Sequence, residues 1–425
     1  MQTAESSIPA SGVASAALDL TEFKLGWRAL LVAIVGVTTS VNATLLYGFG
    51  SMVVPLEKAF GWTAAQLQPA IAFLFLGAII SSQVVGWLNK RFGIRRVTLF
   101  SLVTLACGFL LLTQIGGSIW TLYLGFTLIA WAGFGTLQVT WTHLINLWFE
   151  RNRGLALALT LSGTGIAAIV MPPLITTVTQ KWNWQAGFIT MALMATVLAI
   201  PLVFFWMTTA APGKKAHPEA VKSAAKLIDL SGLTFREGCR SRKFWACNVA
   251  LTLAVSAILG IVTNGVPLMR FRGISAIEAS QIFSSFGISL ILGRVVVGYL
   301  VDRLWAPGVA AVTLALSALG CVLFGMVGSN VPLLIGATLL VGIGAGAEFD
   351  LAAYLVSRYF GLRDYGRLFG LHLGLITAGA AASPILFGAM FKMTGSYTAL
   401  LSYCTACFII GPLLLLTLGR YPAPK

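Results

Sequence analysis

Long apolar runs alternate with short polar breaks along almost the whole chain. Each run is close to the 20 or so residues that a helix needs to cross a hydrocarbon core. The pattern predicts spans at 27–48, 64–88, 97–115, 119–148, 154–178 and 185–208. A polar stretch follows, and then six more spans at 244–267, 277–301, 307–328, 331–357, 366–391 and 397–418. The predicted fold class is an all-α membrane protein of twelve helices in two six-helix bundles. The predicted order is a disordered tail over 1–24, a bundle over 25–209, a linker over 210–242, a second bundle over 243–419 and a short tail over 420–425.

Composition supports this reading. Apolar residues make up 58% of the chain and charged residues 10%, where a soluble domain carries about 25% charged residues. The net charge of +15 raises the question of nucleic acid. The cations, however, sit in tight clusters between apolar runs, so the expected environment is a lipid bilayer and no nucleic acid. Lys24, Arg28, Lys90, Arg91, Arg95, Arg96, Arg151, Arg153, the linker cations, Arg303, Arg358, Arg363, Arg367, Arg420 and Lys425 share one side of the predicted spans. The other side has Lys58, Lys181, Arg270, Arg272 and Lys392. The positive-inside rule then predicts that both termini and the linker are cytoplasmic.

No cofactor or metal is expected, because the six cysteines show no metal spacing. The chain has no nucleophile constellation and no phosphate loop, which argues against an enzyme or an ATP-driven pump. A membrane sensor is disfavoured for lack of a soluble signalling domain.

The two halves repeat. Gly86-x-x-x-Lys90-Arg91 after span 2 matches Gly298-x-x-x-Asp302-Arg303 after span 8. LWFERNRGLALAL, running on to Pro172–Pro173, matches RYFGLRDYGRLFGLHLGL, running on to Pro384. Two parallel six-helix repeats joined by a polar linker are the architecture of a rocking transporter. The glycine runs 163–165 and 342–346 read as places where helices approach closely, and the matched prolines as paired breaks in spans 5 and 11.

On these stretches the chain resembles the major facilitator superfamily. The hairpin after span 2 carries Gly86, Arg91, Gly93, Arg95 and Arg96, with Lys90 where the superfamily places an Asp; its echo keeps Asp302-Arg303. The variant Asn89-Lys90-x-Phe92-Gly93-x-Arg95 is similar to the monocarboxylate transporter branch and its oxalate:formate antiporter relatives. Trp27, a Tyr47-Gly48-Phe49-Gly50 turn leading to PLEKAFGW, WFERNRGLALALTLSGTG and LGRVVVGYLVD agree with that branch. The resemblance implies alternating access in the bacterial inner membrane by a monomer. It also implies that Lys90, Arg91, Gly93, Arg95, Asp302 and Arg303 form gating hairpins.

Charges in mid-span cost roughly 3 kcal/mol each and point to function. Arg294 lies eight residues before Asp302, about 12 Å into the membrane. A guanidinium holds a carboxylate through two parallel hydrogen bonds, and the resemblance implies that the span-8 Arg binds the substrate carboxylate. Glu348 and Asp350 lie at a similar depth in span 10 and point in nearly opposite directions, so one of them is expected to face the cavity and carry a proton. His143 is a candidate proton relay and His372 a ligand donor. Asn42 and Tyr47 in span 1, with Gln138, Trp141 and Asn264, are candidate cavity polar groups. The expected partners are a small organic carboxylate and a proton, moved by symport. The alternatives are carboxylate exchange of the oxalate:formate kind and aromatic-acid:proton symport.

Overall fold

A computed structural model describes residues 21–149, 152–208, 232–361 and 363–421. Most of the predicted linker and of both tails lies outside the described residues, as do the side chains of Lys90, Asp302 and Asp350.

The N-terminal helices are α1 (Thr21–Thr38), α2 (Val41–Phe60), α3 (Ala64–Leu67), α4 (Pro69–Phe92), α5 (Ile94–Leu112), α6 (Ile119–Ala132), α7 (Gln138–Trp148), α8 (Arg153–Leu161), α9 (Gly163–Lys181), α10 (Trp184–Leu193) and α11 (Ile200–Trp206). The C-terminal helices are α12 (Phe235–Arg240), α13 (Arg242–Phe271), α14 (Ala276–Arg303), α15 (Ala306–Met326), α16 (Val331–Phe360), α17 (Tyr365–Thr394) and α18 (Thr398–Leu416). Among the described residues, ten helices are long and apolar enough to cross a membrane, and the bent pair α1–α2 makes up to eleven. The chain is therefore a multi-pass membrane protein.

Two predicted spans are built differently from their hydropathy. The first does not end in a turn at 47–50: α2 stays helical to Phe60, and the break falls earlier, at Thr39–Ser40, with a 41° bend. Hydroxyls explain the break. Thr38 and Thr39 donate back to the carbonyls of Ile34 and Val35 at 2.9 Å, and Ser40 caps α2 by accepting from Ala43 N. The predicted span 119–148 is interrupted by the 3₁₀ turn Phe134–Thr136 beside Gly133. The prolines do not end their helices: α9 runs through Pro172 and Pro173, and α17 through Pro384. In lipid, helix prolines are tolerated because neighbours re-satisfy the freed carbonyls. Ser284 does this for the carbonyl of Ile169, four residues before Pro173, at 2.8 Å. Only a local turn at Ser162 separates α8 from α9 within the single apolar span Leu155–Lys181.

The N-terminal helices pack on one another, as do the C-terminal ones. The two sets meet where α9 lies on α14, α2 on α13, and α3 and α4 on α17. The α9–α14 contact needs glycine on both sides. A Cβ on Gly287 would lie 2.4 Å from the carbonyl oxygen of Gly165, and one on Gly165 would lie 3.0 Å from that of Gly287. The predicted close approach at the glycine runs is thus realised. Gly342 and Gly346 do the same for α16 against α14, with a Gly346 Cβ meeting the Leu290 carbonyl oxygen at 2.2 Å.

On the face where the linker attaches, the hairpins are fastened locally. Gly93 joins α4 to α5 at φ 83°, a left-handed value that favours glycine. Arg95 donates to the carbonyl of Phe204 at the end of α11, and Arg91 lies over Trp87. The last described part of the linker docks on the hairpin after α16. Leu233 N donates to Phe360 O at 2.8 Å, and Phe235 N donates to the Asp364 carboxylate at 2.7 Å.

Candidate functional site

Between the N- and C-terminal helices lies a cavity of about 140 Å³. This is under the roughly 300 Å³ at which pockets for drug-sized ligands begin. From the N-terminal helices it is lined by Asn42, Tyr47, Phe75, Gln138 and Thr164. From the C-terminal helices it takes Arg294, Glu348 and Thr377 together with aliphatic residues. A larger vestibule of about 400 Å³, lined by Lys58 and Arg270 among others, lies on the face opposite the linker. The small cavity is the candidate site, because there a guanidinium and a carboxylate face one enclosed volume at mid-depth.

Both charged groups are deeply buried, Arg294 at 7% exposure and Glu348 at 8%. Arg294 is nine residues from the end of α14, about 14 Å into the helix. Its backbone is held against Gly346, two residues before Glu348, and the absent side chain of that glycine sets the spacing. The guanidinium reaches across to the N-terminal helices. It donates to the carbonyl of Leu161 and lies 3.4 Å from Thr164 Oγ1. Leu161 ends α8, so the local turn at Ser162 presents this carbonyl, which also accepts from the Thr164 hydroxyl at 2.8 Å. Arg294 therefore clasps the two sets of helices at the cavity wall.

Tyr47 lines the same cavity. It lies within electrostatic range of Glu348 and Arg294, and its ring is 6.3 Å from that of Phe286. Asn42 has a buried side-chain oxygen with no hydrogen-bond partner among the described residues, an acceptor ready for a donor on a guest. Arg294, Glu348, Tyr47, Asn42 and Gln138, all singled out from sequence, are thus brought together.

Other candidates lie elsewhere. Trp141 is fully buried against Gly36, and its indole N–H donates to the Thr136 carbonyl at 2.9 Å. His372 is buried among the C-terminal helices with Nδ1 2.5 Å from Asn248 Oδ1. Asn264 accepts from Gln68 Nε2 at 3.0 Å, joining α13 to the start of α4 on the side opposite the linker. His143 is exposed on α7, more than a turn from Gln138. Of the two acids in α16, Glu348 lines the cavity, and the side chain of Asp350 lies outside the described residues.

Phe75, Thr164 and Thr377 went unnoticed in the sequence. Thr164 sits in a glycine run that reads as packing. The signal for Thr377 is a lone hydroxyl in an apolar run, which is common in membrane helices.

The closure of the cavity is one-sided. Opposite the linker, Gly50 meets the Thr263 carbonyl, Gly388 meets Ala65, and Gln68 bonds Asn264. Toward the linker, the polar stripe Gln138, Thr142 and Asn146 runs down α7, exposed at Gln138 and Asn146. Residues at i, i+4 and i+8 share a helix face, and Gln138 is the member of this stripe that lines the cavity.

Comparison with known proteins points the same way. The sequence profile described as Major Facilitator Superfamily matches residues 32–309 and 267–425. The chain is 24% identical over 397 residues to Monocarboxylate transporter 13 of Bos taurus, covering 93% of this chain and 90% of that one. It is 21% identical over 403 residues to the uncharacterized MFS-type transporter YcxA of Bacillus subtilis (strain 168), covering 90% and 93%. Among solved structures, a mutant of the nucleoside transporter NupG superposes with a TM-score of 0.71 at 12% identity, covering 93% of this chain and 100% of that one. The peptide transporter POT superposes at 0.69 with 15% identity, covering 92% and 94%. At these identities the two structures speak to the fold alone.

Proposed function

The chain belongs to the major facilitator superfamily, a family of transporters and not enzymes, and from that premise we propose that it carries a small monocarboxylate anion across the membrane together with a proton. The observation that carries this reading is Arg294 and Glu348 facing one small cavity between the two sets of helices.

The chemistry follows from those groups. In the described conformation one Arg294 Nη faces both the Leu161 carbonyl and Thr164. A substrate carboxylate offers a guanidinium two parallel, charge-assisted hydrogen bonds, stronger than those to a neutral carbonyl. Binding therefore draws Arg294 off Leu161 and loosens the clasp between α8–α9 and α14. Glu348 adds a negative charge to the same cavity, and protonating it lets a second carboxylate enter without like-charge repulsion. Loaded with anion and proton, the site has the net charge of its empty form, and the halves rock past each other on the Gly165–Gly287 contact. The volume favours an acid of a few carbons, and Lys58 and Arg270 make the outer vestibule attractive to anions.

In this reading the bent pair α1–α2 and the interrupted α6–α7 each act as one span, which gives twelve. The linker face is cytoplasmic in this reading, so the contacts of Gly50, Gln68 and Gly388 close the outer side. The relatives named as monocarboxylate transporters support the substrate class.

Ligand-induced stabilisation tests the binding step. A ligand at 100 times its Kd stabilises the folded form by about 2.7 kcal/mol. Two- to six-carbon monocarboxylates are expected to raise the melting temperature of the purified protein, while the matching amides and quaternary ammonium compounds do not. Arg294→Lys should lose the shift. An equal shift with amides, or an undiminished one in Arg294→Lys, would remove the carboxylate from the site.

A further inference from the structure

The linker-side rim of the C-terminal helices holds a further, separate pocket. There α14 ends at Arg303, α15 begins at Ala306, and Arg358 stands two residues before the end of α16. The chain beyond α18 folds back to close this space. Trp305 Nε1 donates to the Gly419 carbonyl at 3.1 Å, and Ala306 N donates to the Tyr421 hydroxyl at 2.9 Å. The resulting pocket is about 780 Å³, lined by Arg303, Arg358 and Arg420 with Trp305, Tyr354 and Tyr421.

We propose that this pocket binds the phosphate headgroup of an anionic phospholipid. Three guanidinium groups converge there, and the described lining contains no acid. Asp302, adjacent to Arg303, cancels at most one of the three charges. Aromatic faces orient the guanidinium planes. Arg303 lies 3.7 Å over Tyr299, and Arg358 lies 5.6 Å from Tyr354 and 5.3 Å from Tyr421. Such stacking uses the faces of the guanidinium and leaves its edge N–H groups for phosphate oxygens. Among the described residues, no hydrogen bond or ion pair involves those N–H groups.

The surroundings select a lipid over a soluble phosphate. The helix ends put the pocket at the edge of the apolar spans, the depth of lipid headgroups. Around it the protein surface is apolar and exposed, with Tyr299 at 57%, Leu304 at 56%, Val312 at 64% and Leu416 at 41%. Those side chains offer a wall for acyl chains that a free phosphate would not use.

The full chain, purified and delipidated, is titrated in native mass spectrometry with phosphatidylglycerol or phosphatidylcholine of identical acyl chains. Each basic residue is worth about fivefold in anionic-lipid binding, so the double variant Arg358→Gln/Arg420→Gln should bind phosphatidylglycerol about 30-fold more weakly. Its phosphatidylcholine binding should not change, and the charge-preserving Arg358→Lys/Arg420→Lys should retain most of the preference. Equal binding of the two lipids by the wild type, or undiminished phosphatidylglycerol binding by the Gln variant, overturns the proposal. Displacement of the lipid by an equal concentration of inorganic phosphate overturns the lipid assignment in favour of a soluble ligand.

Discussion

Arg294 and Glu348 do different work because their chemistry differs. The guanidinium stays charged and presents a planar fork; the carboxylate is the described cavity group that can take up and release a proton. Glu348→Gln keeps the shape and removes the proton site. We expect this variant to exchange labelled for unlabelled carboxylate at near wild-type rate while losing at least about tenfold of its response to a pH gradient. Wild-type pH-gradient response in Glu348→Gln would place the proton elsewhere, with Asp350 next to be tested. Both residues were legible in the sequence because an ionisable group in a span is costly and needs a reason. Trp141 and His372 were not, because residue type does not reveal which side of a helix faces the cavity. Trp141 points away into packing against Gly36, and His372 is buried among the C-terminal helices with its Nδ1 on Asn248. Asn264 was chosen as a cavity group, and its partner Gln68 makes it part of the closure opposite the linker.

At the scale of helices, hydropathy located nearly every span but not the breaks inside them. The α1–α2 break is written in hydroxyls, Thr38, Thr39 and Ser40, which are as compatible with a continuous membrane helix as with a break. The prolines misled in the other direction, because a proline's missing N–H is harmless when a neighbour such as Ser284 satisfies the freed carbonyl. The glycine runs read correctly as close approaches, and the partner helices became visible only in the fold. The Gly165–Gly287 contact makes a sharp prediction. A Cβ at position 287 would also lie 2.6 Å from the backbone nitrogen of Ile169, and backbone cannot move aside as a side chain can. Gly287→Ala should therefore push α9 and α14 apart and disfavour the conformation closed opposite the linker. Spin labels at Gln180 and Ile277, in a cysteine-free background, should show a longer mean distance by electron–electron double resonance. An unchanged distribution in a folded variant would mean that this contact does not set the conformation.

Across the whole molecule, the repeat of charged hairpins predicts two sets of helices, and contacts between the N- and C-terminal helices join them. The meeting surfaces, α9 on α14, α2 on α13 and α4 on α17, belong to the fold rather than to any local motif. Gly50, Gln68 and Gly388 close the side opposite the linker, as the proposed alternating access requires of one end-state. The central claim is that anion and proton travel together through the Arg294–Glu348 cavity. Its most direct test is uptake of a radiolabelled short-chain monocarboxylate into proteoliposomes holding the purified protein, with and without a pH gradient acid outside. Accumulation above equilibrium is expected only with the gradient, with collapse on adding a protonophore and no uptake by Arg294→Lys. Uptake that ignores the gradient and requires carboxylate inside would contradict proton coupling and identify an exchanger.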